Sequence, residues 1–165
     1  MAELTQLESK IGEVLGLAMA SQVATKKVET LLDSDDQHGL SDTLRRMHDD
    51  AAQTEERCTE LAGEFEGKKT AILEQARETK AEASSMMKIY LGEDSDALDG
   101  FEFLTMAEAG EVGHWSIVKK FNEQVANPAI AELVNWALPI QQQHYDTTLD
   151  ASLALAGDMD ATETE

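Results

Sequence analysis

Apolar positions recur along most of this chain in alternating steps of three and four, the spacing that keeps side chains on one face of an α-helix. The first run is Leu4, Leu7, Ile11, Val14, Ala18, Ser21, Thr25, Val28 and Leu32. A second follows through Leu44, Met47, Ala51, Thr54, Cys58, Leu61 and Phe65, and a third through Ile72, Ala76, Thr79, Ala83, Met86 and Tyr90. The fourth run reads Leu104, Ala107, Glu111, His114, Val118 and Phe121, and the last Leu133, Ala137, Ile140, His144, Thr147, Ala151 and Leu155. Together they predict helices over 4–32, 41–65, 70–90, 97–124 and 128–155. Polar turn segments separate them: Asp33 to Gly39, the break at Gly67, Gly92 to Asp96, and Asn127-Pro128. Ser41 is the expected cap of the second helix, Asn127 with Pro128 opens the last, and Pro139 is expected to bend it. No strand pattern is present. The reading is an all-α helical bundle over residues 1–157, followed by an acidic tail, 158–165, without an apolar face and expected to be disordered.

The middle of these seams is thin and polar. Ser21 and Thr25 stand where large apolar residues would be expected in the first helix, and Ala51, Thr54 and Cys58 in the second. In the fourth, Glu111 and His114 occupy the seam three residues apart, one turn along the same face. Gln141 and His144 repeat that spacing in the last helix. A carboxylate and imidazoles in a helical core are costly unless paired, hydrogen-bonded or bound to metal. Two readings follow. In one, His114 and His144 hydrogen-bond Glu111, Gln141 or Gln142 in a buried polar layer that fixes helix register, and no cofactor is held. In the other, Glu111, His114 and His144 bind iron, manganese or zinc. A pair of divalent ions needs several anionic oxygen ligands, and one carboxylate favours the metal-free layer. Asp49, Asp50, Glu55 and Glu56 read as a solvated helix face, Cys58 as a small buried hydrophobe, and Trp115 and Trp136 as residues in or beside the core.

Charge narrows the function classes. A net charge of -20, from 33 Asp and Glu against 13 Lys and Arg, excludes a nucleic-acid surface and disfavours anionic membranes. No uncharged apolar run approaches the roughly 18 residues of a membrane span, and no basic region precedes an apolar run near Met1. The single cysteine fits a reducing compartment, so a cytoplasmic location is expected. Met86, Met87, Tyr90 and Leu91 cluster near one helix end and predict an apolar patch, hence a homodimer; no other protein partner is identifiable.

From Gly67 onward, GKKTAILEQARETKAEASSMM, then AEAGEVGHWSIV, then AELVNWALPIQQQHYDTTL resembles the bacterial YciE/YciF ferritin-like family. Members show a GKK segment, an extra helix, a VEHYEI-type centre on the next long helix and an acidic run on the last. QTEERCTEL, Gln53 to Leu61, is similar to the family's ETEGHVERL, and the resemblance spans about residues 40 to 155. It implies an antiparallel four-helix bundle with one additional shorter helix, often dimeric, associated with stress responses, and with a ferritin-like metal centre. This sequence departs at the ligands. Gly113 precedes His114 where the family carries Glu; Arg57 stands for His, and Gln53 for Glu. Gln141 and Gln142 replace the acidic run, and Ser21 or Gln22 the first helix's Glu. Arg57 is then expected to take the metal's place electrostatically, with Glu111 as its partner. The resemblance implies a non-catalytic, stress-associated structural or interaction protein with a degenerate, metal-free core; the alternative is a ferritin-like metal-binding protein or di-metal oxidase using Glu111, His114 and His144.

Overall fold

The computed structural model describes residues 2–36 and 38–164. Gln37, within the Asp33–Gly39 turn, and Glu165, at the end of the acidic tail, lie outside the described residues, as does Met1. Five helices form: α1 (Gln6–Glu29), α2 (Leu40–Glu64), α3 (Lys69–Tyr90), α4 (Ala97–Val125) and α5 (Pro128–Gly157), with no strand among the described residues. They pack as a helical bundle. α1 runs against α2, α3 and α4, α4 lies along α5, and α2 also meets α5.

Local chemistry sets the helix ends. Thr5 and Glu8 form a reciprocal capping box at the start of α1, and Asp96 and Asp99 another at α4. Asn127 accepts hydrogen bonds from the Ala129 and Ile130 amides, with Pro128 behind it, as the sequence predicts for α5. The expected cap of α2 is corrected. Its N-cap is Gly39, at φ 64°, and Ser41 lies inside the first turn, donating its hydroxyl to Glu29. Asp36 does the capping instead, accepting from the amides of Leu40 at 2.7 Å and Ser41 at 3.1 Å. α5 continues through Pro139, whose ring and the residue one turn back, Asn135, are both exposed. Water can therefore satisfy the carbonyl that the proline leaves unbonded. Beyond Gly157 the described tail is exposed and non-helical; Asp158 pairs with His38 at 2.7 Å, and Asp160 accepts from the Thr162 amide.

Two apolar clusters fill the bundle. One joins Ile11, Val14 and Leu15 of α1 with Cys58, Ile72, Trp115, Ile130 and Val134; the other joins Val28, Leu44, Phe101, Phe103 and Leu104. α3 approaches α1 closely because α1 offers no side chain at two points. A Cβ on Gly12 would lie 2.9 Å from the Ile72 carbonyl, and one on Gly16 only 2.4 Å from the Ala76 carbonyl. The inward face of α3 is buried at Ala71, Ile72, Ala76 and Thr79, and at its far end Leu91, expected in an exposed patch, is instead buried in the second cluster with Met87 packed beside it. Met86 and Tyr90, expected on its inner face, are exposed, and Ile89 is 80% exposed.

Candidate functional site

The polar layer forms between the two apolar clusters, but α4 turns a different face toward it than the sequence predicts. The buried row is Leu104, Glu108, Glu111, Trp115, Val118 and Asn122. The predicted row shares Leu104, Glu111 and Val118 with it, and both rows alternate threes and fours. What separates them is that the observed one buries the large Trp115 indole, giving the core more apolar area than an imidazole would. The consequence is that Glu108 enters the core in place of Ala107, and His114 rotates to its edge.

Each predicted site residue can now be placed. Glu111 is buried in the layer, as are Gln141 and His144 of α5. His114 is half-buried and faces α1, its Nδ1 3.0 Å from Glu13 Oε2, an ion-pair separation not aligned as a hydrogen bond. Burial and then Lys10 lower its pKa against the opposing pull of Glu13. Arg57 does not pair with Glu111: its guanidinium sits 4.1 Å from the centroid of the Trp136 ring, between α2 and α5. Stacking keeps the guanidinium partly hydrated while covering the indole, whereas burial beside Glu111 would strip it of water. Gln142 is exposed and donates to Asp146 on its own helix. The layer therefore contains Glu111, Gln141 and His144, without His114, Arg57 or Gln142.

Two participants come from outside the predicted set. Asp50, assigned to a solvated face, reaches His144 Nε2 at 2.8 Å from its Oδ2. Glu108 is 1% exposed, and its Oε2 lies 3.5 Å from His144 Nδ1, a distance of ion pairing longer than a well-formed hydrogen bond. Both oxygens of Glu108 are otherwise without a partner. Burial alone would depress the His144 pKa, but Glu108 and then Asp50 outweigh it and raise the net value. A carboxylate near each nitrogen favours the protonated ring, with Nε2 hydrogen-bonded to Asp50 and Nδ1 at ion-pair separation from Glu108. No local signal in the sequence marks the Asp50–His144 pair, whose members are 94 positions apart.

Glu111 has no cationic partner. It is 3% exposed and its Oε2 is unpartnered; burial, then the adjacent Glu108, push its pKa well above the carboxylate range. Burial and the neighbouring carboxylate both favour its protonated form. Cys58 is fully buried, and desolvation followed by the charge of Glu111 drives its thiol far above the usual range, which removes it as a nucleophile. The Trp115 Nε1 and Gln141 Oε1 atoms are also buried without partners.

A cavity of about 210 Å³ opens beside this layer, between α1, α3 and α4. Leu17, Ala24, Ala83, Met87, Phe103 and Leu104 form its apolar wall, and Glu108, Glu111 and His114 also line it. A wider depression of about 460 Å³ lies at the turn between α1 and α2, among Asp33, Asp36, Asp96, Asp158 and His38. Among the described residues, no three His, Cys, Asp or Glu side chains are grouped so as to hold a metal ion. None of the helices is long and apolar enough to cross a membrane. Comparison with protein-family models, with curated proteins and with solved structures finds no match to this chain.

Proposed function

We propose that this chain is a non-catalytic, ferritin-like structural or interaction protein, with α1, α2, α4 and α5 as an antiparallel four-helix bundle and α3 as the additional shorter helix. The order of helices and the polar middle of the bundle support the YciE/YciF-type reading, and the stress association comes with that reading. Its core is a degenerate metal site whose charges compensate one another. One observation carries this: both ring nitrogens of His144 face carboxylates, Asp50 on one side and Glu108 on the other. A metal-ligating histidine is neutral, with one nitrogen on the ion and the other on an orienting acceptor. Protonation of His144, which both carboxylates favour, competes with metal binding for the same lone pair.

The residues do not fit a di-metal centre. Glu111 has Gln141 rather than a second carboxylate opposite it on α5, His114 turns toward Glu13, and Gln141 supplies only an amide oxygen. The oxidase alternative built on Glu111, His114 and His144 loses His114 by geometry, because that ring faces Glu13 of α1. We also propose a homodimer through the exposed end of α3, where Met86, Ile89 and Tyr90 are adjacent.

The test is metal analysis of protein purified without chelator, paired with thermal melts with and without EDTA. The metal-free reading expects substoichiometric metal and superimposable melts. Stoichiometric iron, manganese or zinc that disappears in Glu108→Gln or His144→Ala would overturn it.

A further inference from the structure

The cavity between α1, α3 and α4 exists because all three helices present small residues to it: Ala20 and Ala24 from α1, Ala83 and Ser84 from α3, Ala107 and Gly110 from α4. Leu17, Met87, Phe103 and Leu104 supply its larger walls, and Met86 and Met106, 48% and 38% exposed, line it where it meets solvent. The acids that also line it offer it little charge. Both oxygens of Glu108 and Oε2 of Glu111 have essentially no accessible surface; Glu108 Oε2 lies toward His144, and the Nδ1 of His114 toward Glu13. One hydroxyl is different. The buried Thr25, Thr54, Thr148 and Ser152 each donate to a helix carbonyl. Ser21, 8% exposed and lining the cavity, makes no side-chain hydrogen bond among the described residues, yet its oxygen keeps accessible surface. A nearly buried hydroxyl that forgoes its own helix's carbonyl and stays reachable calls for a partner from the cavity.

We infer that this cavity binds an uncharged, mainly hydrocarbon molecule, one aromatic ring with a short alkyl substituent and a single hydroxyl, its ring against Leu17, Met87, Phe103 and Leu104 and its hydroxyl at Ser21. The size agrees: a cavity of about 150 Å³ takes a benzene-sized molecule, so 210 Å³ takes a ring with a two-carbon substituent and a hydroxyl. An aromatic body suits the wall, because a ring packs well on Phe103 and on methionine sulfur, and the flexible Met86 and Met106 adjust to its outline. A serine hydroxyl both donates and accepts, so it meets the ligand's hydroxyl in either sense. An ammonium or carboxylate entering the cavity would shed its hydration with no exposed counter-charge to replace it. The inference goes beyond the metal-free reading and uses none of the charges of the polar layer.

Isothermal titration calorimetry on the full chain tests it, with 4-ethylphenol as the probe and two charged counterparts of similar size, 4-ethylbenzoate and 2-phenylethylammonium. The expected result is saturable one-to-one binding of 4-ethylphenol, at least about tenfold weaker for either charged compound, as the hydration cost requires. Ser21→Ala, which keeps the cavity and removes the hydroxyl, should weaken binding about three- to tenfold, the range of one net hydrogen bond. Ala83→Leu, which fills the cavity from α3, should abolish binding while circular dichroism keeps the helical spectrum; Ala107→Leu, on the opposite wall, takes its place if that variant loses helix. Methyl resonances of Met87 and Leu104 should shift on saturation while those of Leu7, in the other apolar cluster, stay in place. No saturable binding to the wild-type chain, equal affinity for a charged counterpart, or unchanged binding in a folded cavity-filling variant overturns the inference. Unaltered affinity in Ser21→Ala overturns the seating of the hydroxyl.

Discussion

His144 of α5 reaches Asp50 of α2 with its Nε2 2.8 Å from Oδ2, while its Nδ1 lies 3.5 Å from Glu108 of α4. One imidazole ring thus ties together three helices. That makes the charge state of a single ring a determinant of bundle stability.

The sign of the pH dependence follows. The folded protein holds His144 above its ordinary value of 6.5, so the stabilisation is complete below that pH and is lost as pH rises through the raised folded value. Denaturant unfolding of wild type and His144→Gln is expected to differ by about 1–3 kcal/mol at the acid end. The lower part of that range is favoured because Asp50 is partly solvated. The gap should close as pH rises. A gap independent of pH would remove the imidazolium from the account.

Glu111→Gln should behave unlike an ordinary loss of a core charge. The raised folded pKa means the folded state binds a proton that the unfolded chain releases above about 4.5, so stability declines with rising pH until the folded value is passed. An amide imitates the neutral acid in shape and cannot ionise. The variant is expected to match or exceed wild type at neutral pH and to show a flatter stability profile across the acid range. A loss of more than about 1 kcal/mol at neutral pH would mean that Glu111 is ionised and paired after all.

Gly16→Ala and Gly113→Ala form an internal control. Both lie in helices, where alanine is intrinsically better than glycine by about 1 kcal/mol. Gly113 has open space where an added methyl would sit, so its replacement should stabilise; at Gly16 the methyl would meet the Ala76 carbonyl at 2.4 Å. There the expected outcome is destabilisation by about 1–3 kcal/mol, read from thermal or denaturant melts. Two variants of the same sign and size would show that α3 is not seated on that surface.

Self-association is expected through the end of α3. Mutual repulsion at a charge of -20 opposes it, so sedimentation should show the dimer strengthening as salt screens that charge. Ile89→Glu should leave a monomer at every salt concentration with its helix content intact. A wild-type chain that stays monomeric throughout the series defeats the homodimer.

Helix positions were legible in the sequence because a three-four apolar rhythm, Asn127-Pro128 and the glycine-bearing turns are local signals. The α1 and α2 rows, from Leu7 to Val28 and Leu44 to Leu61, are buried as that rhythm requires. Rotation of α4 was not legible. Two rows through Leu104, Glu111 and Val118 satisfy the same spacing, and only the bulk of Trp115 against the other helices chooses between them. The predicted row has Ala107 in place of Glu108 and puts His114 in the centre. Asp50 was hidden for a different reason: an aspartate on an acidic helix face looks solvated until a helix far along the chain places a histidine beside it. Gly12 and Gly16 carried a readable signal, small residues four apart, but what they admit is set by α3.

The seating of α3 on those two glycines has a mechanical consequence. The segment near Ala76 is fixed by backbone-to-backbone proximity, while the following turns, through Ala83, Met86 and Met87, form one side of the chamber above the buried acids. The far end is held too, by Leu91 and Met87 in the second apolar cluster and by Tyr90 beside Phe103, so α3 is fastened at both ends with the chamber wall between them. Any outward swing hydrates Glu108 and Glu111 in the same movement that strips solvent protection from the methionines, two effects of opposite sign on the free energy. Access to the chamber and release of this helix are therefore one equilibrium, and amide exchange in the last turns of α3 reports on how often the chamber opens.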